Sequence, residues 1–521
     1  MARVLVSEAI AERGLDQLRA AGHDVDVQLD LTPETLLDAV RGADALIIRS
    51  ATTVTREVLA AGSDLIVVGR AGIGLDNVDT AAATDLGVMV VNAPLSNTIS
   101  AAEHTMALLL AQARNVPQAH AALKDGRWER SQWNGVELSG KTLGIIGLGR
   151  IGRLVAQRCS AFGMALVAYD PFVTDDAARR MNVEMLGLDE LMARSDFVTL
   201  HLAKTKETLG LINADLLARA KPGIRIINVA RGGIIDEADL ADAIRSGHVA
   251  GAALDVFVTE PCTDSPLFQL PQVVVTPHLG ASTVEAQDKA GDTIAEMVQL
   301  ALAGDFVPFA VNVSAGDVSE TVRPFQSLAE RLGRLFAGLS ESSVTELEIT
   351  TSGQIAQYDT RILTLSVMKG FFGATSEQPV SYVNAPQLAA AAGVAVKAVT
   401  GAESLDYVNL ITVRGGSHAV AGTLVGPNAV AKVVMVDDSS LDIRPAPHML
   451  VVRNDDTPGM IGAVGSVLGG AGINISDMVV GQDARGVAAL MVLSTDVAVP
   501  AAAVTELTAR PGIDSVFVVS G

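Results

Sequence analysis

Three residues far apart in the chain, Arg231, Glu260 and His278, are of the types that interconversion of a 2-hydroxy acid and a 2-oxo acid requires. That chemistry needs a base for the hydroxyl proton, a cation that forks the carboxylate, and a partner that orients the base. His278, Arg231 and Glu260 meet those needs in turn. A carboxylate beside a histidine favours the charged imidazole, suiting it to donate a proton in reduction and accept one in oxidation. Each residue has an ordinary explanation alone: a solvated loop arginine, a surface acid before Pro261, a buried histidine. Their shared position argues for chemistry. Each falls at or just past an apolar run, and open α/β sheets bind ligands at the carboxyl ends of strands.

A second constellation points to the oxidant. Gly147-Leu148-Gly149-Arg150-Ile151-Gly152 follows the apolar run Thr142 to Ile146 and opens a helical pattern at Leu154 to Cys159. In a dinucleotide fingerprint Gly147 permits the tight turn, Gly149 lets backbone N–H groups approach a pyrophosphate, and Gly152 lets helix and strand pack closely. The alternative is an ordinary glycine-rich βα turn. Asp170 lies 18 residues past Gly152, after the run Ala165 to Tyr169, where a carboxylate accepts from adenosine ribose hydroxyls and repels a 2′-phosphate. The nearest following arginines, Arg179 and Arg180, are nine and ten residues on, so NAD is favoured over NADP. Asp170 also suits an N-cap for the next helix. Glu103 and His104, adjacent on a helical pattern, point in different directions and read as structural, as does His248. No metal site is expected.

Positioning these groups takes layered sheets. Short apolar runs alternate with helical patterns from the start: Val4 to Val6, Leu15 to Ala20, Ala45 to Ile48, Leu65 to Val68, Val88 to Val91. A helix over Ser100 to Arg114 leads past a polar connection, Lys124 to Gly140, into a second series: Thr142 to Ile146, Ala165 to Tyr169, Phe197 to Leu200, Ile224 to Val229, Ala252 to Val256, Val273 to Thr276. This rhythm predicts two Rossmann-like, doubly wound parallel sheets. The helical stretch Glu285 to Leu302 carries the chain back to pack on the first layer, making that domain discontinuous. The expected domains are 1–98 with 285–313 for substrate, 99–284 for the dinucleotide, an α+β domain at 317–447 after a linker at 314–317, and a terminal module at 448–521. That module reads strand (Met449 to Arg453), helix (Pro458 to Leu468), strand (Ile473 to Val480), strand (Val487 to Ser494), helix (Ala501 to Ala509), strand (Ile513 to Val519), a ferredoxin-like order.

Composition bounds the function class. With 521 residues, 49% hydrophobic and 19% charged, the chain is long enough for several domains and suits a globular protein rather than a membrane or disordered one. Acids outnumber bases 59 to 38, a net charge of −21, which disfavours nucleic acid and anionic membrane as partners. An anionic substrate therefore needs arginines concentrated at its site. Two cysteines without a CxxC pair, and a start that runs directly into Arg3-Val4-Leu5-Val6, predict a reducing cytoplasm.

Several motifs in order, Arg49-Ser-Ala-Thr52, Gly69 to Asp79, Asn97, Asn228-Val-Ala-Arg-Gly-Gly233 and His278-Leu-Gly-Ala-Ser-Thr283, resemble those of the D-2-hydroxyacid dehydrogenase family, most closely its long branch acting on D-3-phosphoglycerate. The resemblance implies NAD-dependent oxidation of D-3-phosphoglycerate to 3-phosphohydroxypyruvate, the first step of L-serine synthesis, with Arg231, Glu260 and His278 catalytic. It implies cofactor contacts at Arg150, Ile151, Asp170, Val229, Ala230, Asp255, Leu279, Gly280 and Ala281, beside the three glycines. Arg49, Arg70 and Asn97 would face the substrate, and Arg130 would reach over from a neighbouring subunit of a dimer or tetramer. A doubly charged phosphate on a small acid needs more than one cation, and arginine forks suit phosphate geometry.

The terminal module resembles an ACT domain, a regulatory fold that binds amino acids, which implies L-serine as effector. Asp456, in the turn Asn454-Asp-Asp-Thr-Pro-Gly459, would take its ammonium group, with Asn474 on the next strand as partner; an ACT-like fold used only for assembly is the alternative. The domain at 317–447 resembles the extra domain of the long branch, serving assembly or a second anion effect. Another 2-hydroxy acid, such as glycerate or 2-hydroxyglutarate, is the nearest rival substrate, and an NADH-sensing scaffold is the rival from another class.

Overall fold

The computed structural model describes every residue except 314–317, 341–343, 377–379, 402–403, 405, 438, 483–487 and 521. The expected linker at 314–317 thus lies outside the described residues, as does the first residue of the expected strand Val487 to Ser494.

The first layer is a five-stranded parallel sheet in the order Asp24–Val27, Arg3–Val6, Ala45–Ile48, Val67–Arg70, Met89–Asn92. Central strands such as Ala45–Ile48 are buried at every position, as a parallel sheet covered on both faces demands. The returning helix Val284–Leu302 lays Ile294 and Val298 against this sheet, and Ala310 bridges to Val91, so the layer is completed by distant chain. The edge strand Asp24–Val27 is absent from the sequence expectation. Its alternating aspartates and partial exposure hide it from an apolar-run criterion.

The second layer is a seven-stranded parallel sheet in the order Val273–Val275, Val249–Leu254, Ile224–Asn228, Phe197–Leu200, Thr142–Ile146, Ala165–Tyr169, Glu184–Met185. Strand order reverses between Thr142–Ile146 and Phe197–Leu200, and the crevice at such a switch point is where this architecture takes a ligand. The helix Thr98–Arg114 packs on this second sheet, so the chain crosses between layers just before it and again at Thr283. The two crossings touch: Ser100 Oγ is 2.8 Å from Thr283 Oγ1.

Beyond the two parallel sheets lies a six-stranded mixed sheet, ordered Ala395–Gly401, Glu346–Gly353, Asn409–Gly415, His418–Val425, Val430–Val436, Ser439–Ile443, with the helix Gln326–Leu339 on it and the helix Arg361–Thr375 packed against that helix. The terminal sheet is antiparallel, ordered Ile475–Gln482, Ala488–Thr495, His448–Asp455, Ile513–Ser520, giving the expected βαββαβ topology. Its strands alternate between two cores. Leu450, Val452, Met491 and Leu493 face the helices Met460–Gly470 and Ala501–Thr508, while Met449, Val451, Leu490, Val492, Phe517 and Val519 join the core of Gln326–Leu339. The domain at 317–447 keeps its own sheet but shares one apolar core with the terminal module. It also docks on the first layer, where Val383 enters that sheet's core and Ser381 Oγ donates to Gly87 O at 3.1 Å. No helix among the described residues is long and apolar enough to cross a membrane.

Candidate active site

The three expected catalytic residues lie in loops at the carboxyl ends of neighbouring strands, and two of them pair. His278 Nδ1 lies 2.6 Å from Glu260 Oε2, and Glu260 Oε1 accepts from Phe257 N at 3.0 Å. Burial alone would raise the Glu260 carboxyl, but the bonds from His278 and Phe257 N outweigh it and hold the group below the usual carboxylate range. A charged Glu260 therefore faces the imidazole across the physiological range. Arg231 is held by its own loop: the buried Asn228 accepts from Ala230 N at 3.0 Å and donates to Arg231 O at 2.9 Å. Its guanidinium donates to Ala230 O at 2.7 Å and, from Nε, to Asp76 Oδ2 at 3.2 Å, across to the first layer.

From that layer come Arg49 and Arg70. Burial pushes Arg70 down to about 10, helped by repulsion from Arg231 and Arg49 and opposed by Glu8 and Asp76. Its Nε is buried without a partner, as is Oδ1 of Asn97. The repulsion that Arg70 feels from Arg231 and Arg49 marks three guanidiniums gathered together, an arrangement suited to a small polyanion. Glu8, which sequence reasoning missed, shapes it by accepting from Arg49 N at 2.8 Å, Ala51 N at 3.0 Å and Thr52 N at 2.8 Å. Burial raises the Glu8 carboxyl, yet those bonds bring it below its ordinary value. Asp76 was also missed as a partner, although it lies within the quoted motif at 69–79.

The glycine loop fits a dinucleotide. Gly147 has φ +97, and a Cβ there would stand 2.6 Å from His201 O; a Cβ on Gly152 would collide with Gly147 O, whereas nothing lies within 4 Å of one on Gly149. Backbone is thus bare where a pyrophosphate approaches the amino end of the helix Arg150–Ala161. Asp170 follows the strand Ala165–Tyr169 and accepts from Leu148 N at 2.8 Å and Phe172 N at 2.9 Å. It caps no helix: Thr174 accepts from Ala177 N at the start of Asp175–Arg179. Val229, Ala230, Leu279 and Ala281 stand at partly or fully exposed positions in the loops past their strands. Asp255, also expected as a cofactor contact, sits under the turn at 278–280. It is fully buried, and its oxygens accept from Leu279 N at 2.7 Å, Gly280 N at 2.8 Å and Thr276 Oγ1 at 2.6 Å, supporting the turn beneath.

Elsewhere, Arg130 begins an exposed turn beside Trp128, which is 80% exposed. Asp456 is exposed in the turn after His448–Asp455. Asn474 stands one residue before the strand Ile475–Gln482 rather than on it, its backbone N donating to Asp496 Oδ1 at 3.0 Å.

Family models match this layout: the catalytic domain of D-isomer specific 2-hydroxyacid dehydrogenases over residues 4–191, their NAD binding domain over 106–280, the D-3-phosphoglycerate dehydrogenase intervening domain over 321–437, and an ACT domain over 448–512. The chain is 50% identical over 504 residues to the D-3-phosphoglycerate dehydrogenase of Mycobacterium leprae, covering 95% of each chain. It is 40% identical over 522 residues to that of Bacillus subtilis, covering 99% of each. The chain belongs to the D-3-phosphoglycerate dehydrogenase family. Among solved structures, NAD-dependent formate dehydrogenase from Staphylococcus aureus in complex with NAD matches with a TM-score of 0.53 at 33% identity, covering 58% of this chain and 95% of that one. The TT0316 protein from Thermus thermophilus matches at 0.56 and 36%, covering 59% and 99%. Both cover about the span of the two parallel sheets. As a member of this family the protein is an NAD-dependent oxidoreductase, and NAD is its cofactor.

Proposed function

We propose that the protein oxidises D-3-phosphoglycerate to 3-phosphohydroxypyruvate with NAD, and that L-serine inhibits it. The carrying observations are the His278–Glu260 pair and the cluster of Arg70 with Arg231 and Arg49, with Arg231 in the loop after a strand neighbouring those that lead to Glu260 and His278. When bound, NAD supplies the hydride acceptor for C2. His278 takes the hydroxyl proton at Nε2, its Nδ1 being engaged by Glu260, and Glu260 keeps the ring oriented through both directions of the reaction. Arg231 forks the carboxylate beside the carbon that reacts, while Arg49 and Arg70 hold the phosphate. Asp170 takes the ribose hydroxyls, and the open face at Gly149 admits the pyrophosphate. Oxidation releases a proton, so alkaline pH favours it.

Serine inhibition rests on the ACT domain that the family models match, with Asp456 and Asn474 as the candidate contacts. Arg130 and the exposed Trp128 form the surface against which a second copy would pack in a dimer or tetramer, a state that sedimentation measures. The test of function is NADH consumption with 3-phosphohydroxypyruvate beside hydroxypyruvate, each with and without L-serine. Preference for the phosphorylated acid, suppressed by serine, is the expected result. Equal rates on both acids would overturn the phosphate assignment.

A further inference from the structure

His104 lies two turns into the helix Thr98–Arg114 that follows the first crossing between layers. Its neighbour Glu103 points elsewhere and pairs with Arg158 at 3.5 Å. His104 Nε2 stands 3.2 Å from Asp255 Oδ1 and 3.0 Å from Thr276 Oγ1. The bonds converging on Asp255 hold its carboxyl below its ordinary value against the upward push of burial. A carboxylate only accepts, so Nε2 of His104 carries the proton, and the Thr276 hydroxyl accepts from it while donating to Asp255.

What this network holds is the turn of the proton acceptor. His278 has φ +55, a conformation that L side chains rarely adopt and that must be imposed from outside. The imposing bonds come from Asp255: its backbone O accepts His278 N at 2.8 Å, and its carboxylate accepts Leu279 N and Gly280 N. His104 braces that carboxylate and the side chain of Thr276, at the two ends of the arch over which His278 is bent.

We propose that His104 is a positioning residue for the catalytic imidazole, acting through Asp255 and Thr276 to keep His278 in reach of Glu260. The inference rests on His278 being the proton acceptor. His104 itself contributes no proton to the reaction.

The test uses the full chain carrying His104→Leu, His104→Gln, Thr276→Val, and the double variant His104→Leu/Thr276→Val. Turnover and KM are measured with the 2-oxo acid the wild type prefers, and NADH affinity by fluorescence. His104→Leu should lower kcat by about tenfold, the loss of one hydrogen bond to a charged group, while KM and NADH affinity change less than about threefold. Glutamine, which keeps an N–H donor, should restore most of the loss. The double variant should be no slower than the slower single variant, because both act through the Asp255 turn. Leucine turning over like wild type, parallel losses in kcat and NADH affinity, or multiplicative effects in the double variant would each overturn the proposal. Should leucine fail to fold, Thr276→Val alone decides: a kcat equal to wild type overturns it, and a lower kcat at unchanged NADH affinity supports it. A wild type inactive on every 2-oxo acid would instead sink the assignment of His278, so the two failures are distinguishable.

Discussion

Replacing Arg70 by methionine should make the unliganded protein more stable and the enzyme worse. The guanidinium is largely buried, has an unpartnered Nε, and is repelled by Arg231 and Arg49, which together with burial bring it well below the ordinary arginine value, to about 10. At about 1.4 kcal/mol per unit this is an upper bound of roughly 3 kcal/mol against the folded state, and solvent screening at its open side reduces it to about 1–2 kcal/mol. The group is a base whose folded value is depressed, so the penalty is complete at every pH below about 10 and is relieved only above it. Methionine has similar length and no charge to desolvate. The unfolding transition of the dehydrogenase half should therefore rise by about 2–4 °C per kcal/mol, equally from about pH 6 to 9. Against that, losing a charged hydrogen bond of about 1.5–3 kcal/mol to the phosphate should cut kcat/KM for 3-phosphohydroxypyruvate by roughly 10- to 150-fold. Hydroxypyruvate, lacking the phosphate, should suffer much less. Scanning fluorimetry with and without inorganic phosphate, beside the two kcat/KM values, checks both halves: phosphate should stabilise the wild type and not the variant. A lower transition in the variant together with an unchanged preference between the acids would refute the account of the cleft as an anion site held at a cost in stability.

The glycine loop offers a paired test. Gly149→Val should abolish NADH binding while leaving the unfolding transition in place, because its side chain enters open space, whereas Gly152→Ala should lower the transition itself by driving a Cβ into Gly147 O. Glu260→Gln should reduce kcat about tenfold or more by weakening the grip on His278. The lowered Glu260 carboxyl also fixes a sign: the pair's contribution is complete above the ordinary carboxylate value and disappears as pH falls through the folded one, so pH–rate profiles above about pH 4 should show no limb due to Glu260. Asp170→Ala should raise the use of NADPH relative to NADH in steady-state assays, and should weaken both cofactors somewhat, since Leu148 N and Phe172 N lose their acceptor.

The parallel layers were legible because most of their strands are short, largely apolar and punctuated by glycine or a cap. Thr142–Ile146, Ala165–Tyr169 and Phe197–Leu200 were read to the residue. Strands that bury little escaped: Asp24–Val27 is half aspartate, and Glu184–Met185 is only two residues long. At the site, residue type and position past a strand pointed to His278, Glu260 and Arg231. The residues that shape their surroundings stayed hidden, because Glu8 under the Arg49 turn, Asp76 and His104 act through contacts spanning 44, 155 and 172 positions that no local pattern encodes. Asp255 entered through the family resemblance alone, and the bonds it accepts from Leu279 N and Gly280 N had no signal in the sequence.

The apolar face shared between Gln326–Leu339 and the terminal sheet makes the regulatory end of the chain a poor cassette for cut-and-paste work. A fragment beginning near 448 would carry Met449, Val451, Leu490, Val492, Phe517 and Val519 into water as one patch, and a chain stopped at 447 would bare the complementary side of the helix. Loss of solubility, or of the proposed serine response, in either fragment would then report a broken core rather than a missing signal. Engineers wishing to transplant amino-acid control onto another dehydrogenase should move both sheets together.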